Sequence, residues 1–328
     1  MRSILVFFGL AICLSACERT PVASNQNQPR SNDPPAGVIS PLPQTRKLDR
    51  IQVELGRKLF FDVRLSHNNS LSCAHCHAIE NYGVDGLRVS VGINGAQGKV
   101  NAPSVLNCGN NFRQFWDGRA ATLEDQVGGP LTNPLEMGSQ WPEVIKKLST
   151  DRQLASLSAQ AYGRPVDESV IRSAVAQFER SLTTPNAPFD RYLRGDQQAL
   201  TPQALAGWHL FKEIGCVSCH QGMNVGGNMY AKLGVMGDYF KGRQLQLADY
   251  GLYNQTHQEA DKFKFKVPSL RNVEKTAPYF HDGSVATLPQ AVDVMAHVQL
   301  GLNLSKAQRD EIVAFLDALT GELPKVRP

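Results

Sequence analysis

The chain has 328 residues, of which 42% are hydrophobic and 20% are charged, so it is long enough for two domains of ordinary size. Its formal net charge is only +4, and no dense basic block occurs, which excludes nucleic acid as the main partner. A redox partner that docks on a local charged patch stays open.

The first residues are typical of an export signal with a lipoprotein-type cleavage site. Arg2 precedes an apolar run that ends at Leu14, and small residues lead from there to Cys17. The run has about 11 residues, fewer than the roughly 20 that span a bilayer, which disfavours a transmembrane anchor. We therefore predict a signal peptide over 1–16 and a lipid on Cys17 as the sole membrane attachment. The polar, proline-rich composition that follows predicts a flexible tether over 17–45, and the predicted location is the periplasm.

Two C-x-x-C-H motifs carry the strongest functional signal. In this spacing two thioethers reach one porphyrin, and the adjacent histidine can bind the iron as an axial ligand, which predicts two covalently bound haem c groups. The competing interpretations are a thioredoxin-like redox pair, which does not need the histidine, and a zinc site, which would use both pairs on one metal. The predicted haem-binding residues are Cys73, Cys76 and His77 in the first motif and Cys216, Cys219 and His220 in the second.

Each motif follows a segment in which apolar residues keep helical spacing. The first segment contains Leu55 and Leu59, and in the second Thr201 and Pro202 are typical of an N-cap and a first helical position. A block of motifs after the first pair recurs at one constant offset after the second. We therefore predict a mainly α fold with two cytochrome c-like haem domains, over 46–185 and 186–328, related by an internal repeat. The recurring elements are Pro103-Ser104, Phe115-Trp116-Asp117-Gly118 and Ala121-Thr122-Leu123, matched by Pro268-Ser269, Phe280-His281-Asp282-Gly283 and Ala286-Thr287-Leu288.

The two halves differ where chemistry is expected. Soft sulfur favours ferrous iron, so Met295 is a candidate sixth ligand of the second haem; the alternative is a core residue on a helix. Glu136 lies in a turn-rich segment, and a carboxylate near an open haem could move a proton between the two oxygens of peroxide; the alternative is a solvated surface group. Weaker alternatives to Met295 are Met223, Met229 and Met236.

From about Arg46 to Leu323 the sequence resembles the bacterial di-haem cytochrome c peroxidases, in the wider superfamily of the methylamine dehydrogenase maturation enzymes. The resemblance implies reduction of hydrogen peroxide with electrons from a small periplasmic cytochrome c or cupredoxin, and a homodimer stays open. Beyond the two C-x-x-C-H sites, the motifs that carry it lie at 101–104, 115–120, 133–138, 187–195 and 276–283.

The resemblance also assigns roles to residues. It implies that His77 holds the peroxidatic haem and that His220 and Met295 hold the electron-entry haem. Further roles that it implies are Glu136 as the catalytic acid-base group, Gln126 as its neighbouring amide, Trp116 as the residue between the haems, and Asn101, Thr276 and Pro278 as ligands of a calcium ion between the domains.

One departure from the family concerns the loop at 91–96. Well-known members carry a histidine there that blocks the peroxidatic iron until the other haem is reduced, whereas this chain has Ile93, which has no lone pair to offer. We therefore expect a first haem with a vacant side even when fully oxidised. Two other classes of protein stay open. An oxidase that modifies a partner protein is disfavoured, because close members of that class have tyrosine in place of the methionine at Met295. A di-haem electron carrier is disfavoured because both of its irons would need six ligands, and Ile93 cannot supply one.

Three further expectations concern structure. Cys108 is expected to be a buried, small apolar residue, and the resemblance implies that His281 lies near the second haem. A final helix is predicted from a capping box of Ser305 and Gln308, with Gly321 as its C-cap, and we expect it to pack on the first domain. The apolar face of that helix is predicted to be Ile312, Phe315, Leu316 and Leu319.

Overall fold

The computed structural model describes residues 38–326, and these are mainly helical. The two strands, β1 (Tyr230–Lys232) and β2 (Lys264–Lys266), pair antiparallel with Tyr230 opposite Lys266. The helices are α1 (Arg50–Phe60), α2 (Cys73–Cys76), α3 (Leu123–Thr132), α4 (Trp141–Leu148), α5 (Arg152–Tyr162), α6 (Glu168–Ser181), α7 (Pro188–Leu193), α8 (Pro202–Glu213), α9 (Tyr253–Thr256), α10 (Leu288–Leu300) and α11 (Lys306–Asp317).

The helices predicted before the two motifs are confirmed. Asp49 caps α1 by accepting hydrogen bonds from two backbone N–H groups of its first turn, and Leu55 and Leu59 on this helix are fully buried. Thr201 caps α8 through its hydroxyl, and Pro202 occupies the first helical position, where a missing N–H does no harm. Each helix therefore begins where its local sequence directs it and ends before a haem motif.

Both of these helices pack closely on a later helix through a glycine. A Cβ atom at Gly56 would overlap the carbonyl oxygen of Ala174 in α6, and one at Gly207 would overlap the carbonyl oxygen of Glu311 in α11. Glycine lets each pair of backbones approach closely at these positions. The two pairs, α1 with α6 and α8 with α11, form the frame on which the motifs sit.

Two large apolar cores surround these helix pairs. The first contains buried residues from Leu55 to Leu182, and the second contains Ile39 together with residues from Phe189 to Leu319. Cys108 is buried in the first core, as expected, and burial raises the pKa of its thiol well above the usual value. All described residues belong to one compact unit.

Equivalent positions of the two sequence blocks have the same local backbone. Asn107 and Asn272 both have φ 61°, in the left-handed region, while Phe115 and Phe280 have φ 68° and 69°. The bridge between Gln114 and Ala120 has a counterpart between Tyr279 and Val285. Thr122 and Thr287 each cap the helix that follows, α3 and α10, with the side-chain hydroxyl.

The final helix is confirmed, but two expectations about it are wrong. Its capping box is present, and the four residues of its predicted apolar face are buried. However, the helix ends at Asp317, with Ala318 as its C-cap. Gly321 instead allows the chain to pass close to a distant backbone, since a Cβ there would overlap the Thr184 carbonyl oxygen. The Gly321 N–H donates to Asn272 Oδ1. The helix packs on α8, in the second core, and only the tail beyond it, with Leu323 and Val326, reaches the first core.

The predicted tether is too long at its C-terminal end. Ile39 is 7% exposed and packs in the second core. Leu42 is 1% exposed, and its N–H donates to Asp190 Oδ1 at 3.1 Å. The predicted signal and lipid-bearing Cys17 lie outside the described residues. Within residues 38–326 no helix is long and apolar enough to cross a membrane.

Candidate functional site

The two motif histidines have the same surroundings. His77 Nδ1 lies 3.2 Å from the carbonyl oxygen of Gly83, and His220 Nδ1 lies 3.3 Å from that of Val225. Burial lowers the pKa of both imidazoles, that of His220 to about 4, so both are neutral. A neutral imidazole that donates Nδ1–H to a carbonyl keeps the lone pair on Nε2, which is the form that an axial iron ligand needs.

The motif cysteines are suited to covalent attachment and poorly suited to zinc. None of the four forms a disulfide, and burial raises the pKa of Cys76 to about 11 and that of Cys216 to about 12. A zinc site would use both pairs on one metal, but the described residues contain no cluster of three or more His, Cys, Asp or Glu side chains that could hold a metal ion. In the first motif His75 Nδ1 accepts the Ser72 N–H at 3.1 Å, so this histidine caps α2.

Glu136 lies in a turn that is held against the loop at 91–96. The Ile93 N–H donates to the Glu136 carbonyl at 2.8 Å, and a Cβ at Gly92 would overlap the Leu135 carbonyl oxygen. The carboxyl is half-buried, and Asn133 Nδ2 donates to its Oε1 at 2.7 Å. Burial raises the pKa of Glu136, while the Asn133 hydrogen bond opposes that rise. Its charge also raises the pKa of Cys76, which links the carboxyl to the first motif.

Ile93 and Gln126 lie on the two segments that contact the Glu136 turn. Ile93 is 8% exposed, and a Cβ at Gly138 would overlap its side chain, so Ile93 is held in place by packing. Gln126 is half-buried on α3, whose last turn meets the Glu136 segment where the Met137 N–H donates to the Pro130 carbonyl at 3.1 Å. No hydrogen bond joins the described Gln126 and Glu136 side chains. The segments that carry these two residues are in contact, but the amide and the carboxyl are not bonded to each other.

The second motif opens onto a cavity of about 550 Å³. Cys216, Cys219 and His220 line it on one side, and Met295, half-buried on α10, lines it as well. The other described methionines do not contribute to its wall, and Met236 is 66% exposed. A volume of this size, with apolar walls and an imidazole and a thioether among its lining groups, fits a haem.

Trp116 reaches this cavity from the first half of the chain. Its Nε1–H donates to the carbonyl oxygen of Asn101 at 2.9 Å, and its ring meets the edge of His281 at 6.4 Å between centroids. His281 is 2% exposed and stacks on Phe265 at 4.5 Å, with Nε2 2.7 Å from Asp249 Oδ1. Trp116, His281 and Phe265 therefore form one packed aromatic layer.

The residues predicted to bind calcium are brought to the same cavity. Asn101, Thr276 and Pro278 all line it, although they lie in two distant parts of the sequence. Asn101 is 7% exposed; its N–H donates to the His281 carbonyl at 2.8 Å, and its Nδ2 donates to the Leu87 carbonyl at 2.8 Å. Amide and carbonyl oxygens are the ligand type that a hard cation prefers.

Sequence reasoning missed three residues of these sites. Asn133 orients the Glu136 carboxyl, Asp249 pairs with His281, and Lys266 lines the cavity as a buried cation. Asn133 lies in the family motif at 133–138, and that position could have indicated a role for it. Nothing in the sequence distinguishes Lys266 from the lysines beside it, because burial is a tertiary property.

Two neutral imidazoles, each preceded by a C-x-x-C pair on a helical frame, define a c-type cytochrome with two haem sites. A family model described as di-haem cytochrome c peroxidase matches residues 50–198. The chain is 43% identical to a cytochrome c551 peroxidase of Nitrosomonas europaea over 87% of this chain and 85% of that protein. The chain therefore belongs to the bacterial di-haem cytochrome c peroxidase family, as the motifs predict.

Two further similarities agree with this assignment. The chain is 47% identical to the cytochrome c peroxidase Ccp of Escherichia coli K12 over 91% of its own length, but it spans only 64% of that protein. Among solved structures, a MauG-like protein associated with microbial copper homeostasis superposes with a TM-score of 0.76 at 29% identity, covering 92% of this chain and 96% of that one.

Proposed function

We propose that this chain reduces hydrogen peroxide to water with electrons from a small cytochrome c or cupredoxin donor. The observation that carries the proposal is the half-buried Glu136 carboxyl, whose backbone carbonyl accepts the N–H of Ile93, a residue that cannot bind iron. Family membership supports the class of reaction. Glu136 and Ile93 support the mechanism that we propose for it.

The first site is the peroxidatic one, with the haem held by Cys73, Cys76 and His77. When bound, the haem supplies the redox chemistry that splits the oxygen–oxygen bond. Glu136 accepts a proton from one peroxide oxygen and returns it to the other, so that water can leave. Asn133 donates to Oε1 and so leaves Oε2 available to the substrate.

The second site is the electron-entry site, held by Cys216, Cys219, His220 and Met295. That His220 and Met295 line one cavity supports this pair as axial ligands. Trp116, which lines the cavity and donates to the Asn101 carbonyl, is the bridge between the sites, since an aromatic ring shortens the gap that an electron crosses. We also propose a calcium ion bound by Asn101, Thr276 and Pro278, which is supported by their shared cavity wall.

We further propose two haem domains, 46–185 and 186–328, related by an internal repeat. The matching φ angles, bridges, caps and glycine contacts of the two halves support this relation. For location we propose the periplasm, with lipid on Cys17 as the attachment.

The main test is a steady-state assay of Glu136→Gln with peroxide and a reduced cytochrome c or cupredoxin. Loss of the proton-transferring group lowers turnover by about 10²- to 10⁴-fold, while haem content stays at the level of the unaltered protein. Glu80→Gln is the matched control, because Glu80 is exposed near the same motif. Unchanged turnover in Glu136→Gln contradicts the proposal; an electron carrier shows no turnover at all, and a protein-modifying oxidase shows little without its protein substrate.

A second test concerns Ile93. Because its side chain cannot bind iron, we expect the fully oxidised protein to react with peroxide without prior reduction. Electron paramagnetic resonance of this form should contain a high-spin signal, and Ile93→His should weaken both that signal and the reaction. A spectrum with low-spin signals alone in the unaltered protein overturns this expectation.

A further inference from the structure

We propose that Lys266 is the cationic anchor of a haem propionate in the cavity lined by Cys216, Cys219 and His220. The inference rests on the proposed function only in taking the second motif to hold a haem. It assigns a haem-positioning role to a residue outside the C-x-x-C-H motif and the axial pair.

Lys266 is an unusual lysine because it is almost completely buried. It is 6% exposed at the end of β2, next to the buried Phe265 and Val267, and it lines the cavity wall. A buried, isolated ammonium is expensive, and proteins retain one only where a partner compensates for the lost water. Burial lowers the pKa of Lys266 to about 8, which reflects this cost.

No group of the described protein supplies that compensation. No hydrogen bond or ion pair joins the Lys266 ammonium to residues 38–326. Cys108 is the described ionisable group whose charge would act on it, but burial raises the pKa of that thiol well above its usual range, so it stays neutral. The missing anion must therefore come from what fills the cavity.

The other cations on the cavity wall are already accounted for. Arg271 is fully buried, but both of its terminal nitrogens bond to Asp190, at 3.0 and 2.9 Å. Lys232 is exposed to solvent and needs no partner. Lys266 is thus the buried cation of this cavity that remains unpaired among the described residues, and the propionates are the anionic groups that a haem brings.

The position of Lys266 also bears on electron transfer. Its backbone N–H donates to the Trp116 carbonyl at 2.9 Å, so this cation and the bridging tryptophan are fixed to each other. A cation beside a haem stabilises the form that has gained an electron. With the haem bound, Lys266 would hold a propionate and favour the reduced form of the second haem, which a donor must be able to populate.

The test is a spectroelectrochemical titration of the two-haem protein and its Lys266→Met variant. We expect the reduction equilibrium constant of the second haem to fall about tenfold, which is about 59 mV for a one-electron couple. Lys266→Arg should restore the potential because it retains the charge, and Lys241→Met, which removes an exposed lysine, should not change it. Low-spin spectra and haem content verify that the iron ligands are intact.

Three outcomes overturn the proposal. The first is a reduction potential of Lys266→Met equal to that of Lys241→Met, and the second is a potential of Lys266→Arg as low as that of Lys266→Met. The third is an equal loss of haem in Lys266→Arg and Lys266→Met. If Lys266→Met takes up no haem, Lys266→Gln replaces it; failure of both neutral variants while Lys266→Arg takes up haem supports the charge requirement. A protein that shows the predicted shift but reduces no peroxide retains this inference and overturns the proposed function.

Discussion

Single side chains in this protein work through the partners that fix their protonation and direction. The carbonyl oxygens of Gly83 and Val225 determine which nitrogen of His77 and His220 is free. Asn133 fixes the direction of the Glu136 carboxyl, because its amide donates to one carboxyl oxygen, and this hydrogen bond favours the ionised form. The chemistry of each site thus depends on a neighbour that makes no contact with substrate.

The pH dependence of peroxide reduction should report on Asn133. Burial raises the pKa of Glu136, so the ionised base, and with it kcat/KM, is present above this raised pKa and is lost as pH falls through it. Asn133→Ala removes a hydrogen bond that lowers the pKa, so the acid inflection should move to higher pH. The measurement is a pH profile of kcat/KM, with the exposed Asn303→Ala as control. A shift to lower pH would show that Asn133 does not favour the carboxylate.

At the level of elements, two helix pairs carry the motifs, and each pair depends on a glycine. Gly56 in α1 and Gly207 in α8 are buried where the partner backbone passes, so neither position has room for a methyl group. Glycine normally weakens a helix interior, and here close backbone packing offsets that loss.

Gly56→Ala and Gly207→Ala should each destabilise the protein. The added methyl group must displace a helix backbone, and overpacking of this kind costs about 1–3 kcal/mol or more, which exceeds the gain of about 1 kcal/mol in helix propensity. The free energy of unfolding from denaturant titration measures the effect. Gln153→Ala, on the exposed side of α5, is the control and should change little. Stabilisation by either alanine would show that the helices are free to separate.

Across the whole molecule, the two sequence blocks meet at one buried threonine. Thr184 Oγ1 accepts hydrogen bonds from Asn107 Nδ2 at 2.8 Å and from Asn272 Nδ2 at 3.0 Å, and its N–H donates to Asn107 Oδ1 at 3.0 Å. Asn107 and Asn272 are equivalent positions of the two blocks, so a single hydroxyl joins them. The hydroxyl is fully buried, and no water can replace it.

Thr184→Val should weaken this junction strongly. It conserves the shape of the side chain but leaves two buried amide groups without an acceptor, at a cost of about 1–3 kcal/mol for each unpaired group. Thr184→Ser keeps the hydroxyl and serves as the control. Thermal or denaturant unfolding of both variants gives the comparison, and equal stability of the two would mean that the hydroxyl does not join the blocks.

The motifs, the capped helices and the family were all predictable from the sequence. The C-x-x-C-H spacing, the caps at Thr201 and Ser305 and the apolar face of α11 are properties of neighbouring residues, and local geometry follows from them. The resemblance also implied roles for Glu136 and Met295, which composition and spacing alone left open.

Properties that depend on contacts between distant segments could be read only from the tertiary structure. The burial of Lys266, the pairing of Arg271 with Asp190 and the meeting of Asn101 with Thr276 in one cavity join residues far apart in the chain. Gly321 was misassigned for the same reason, since a glycine needed to let a distant backbone approach looks, in sequence, like a helix cap. Local patterns encode conformation, whereas burial and charge compensation are decided by which surfaces the folded chain brings together.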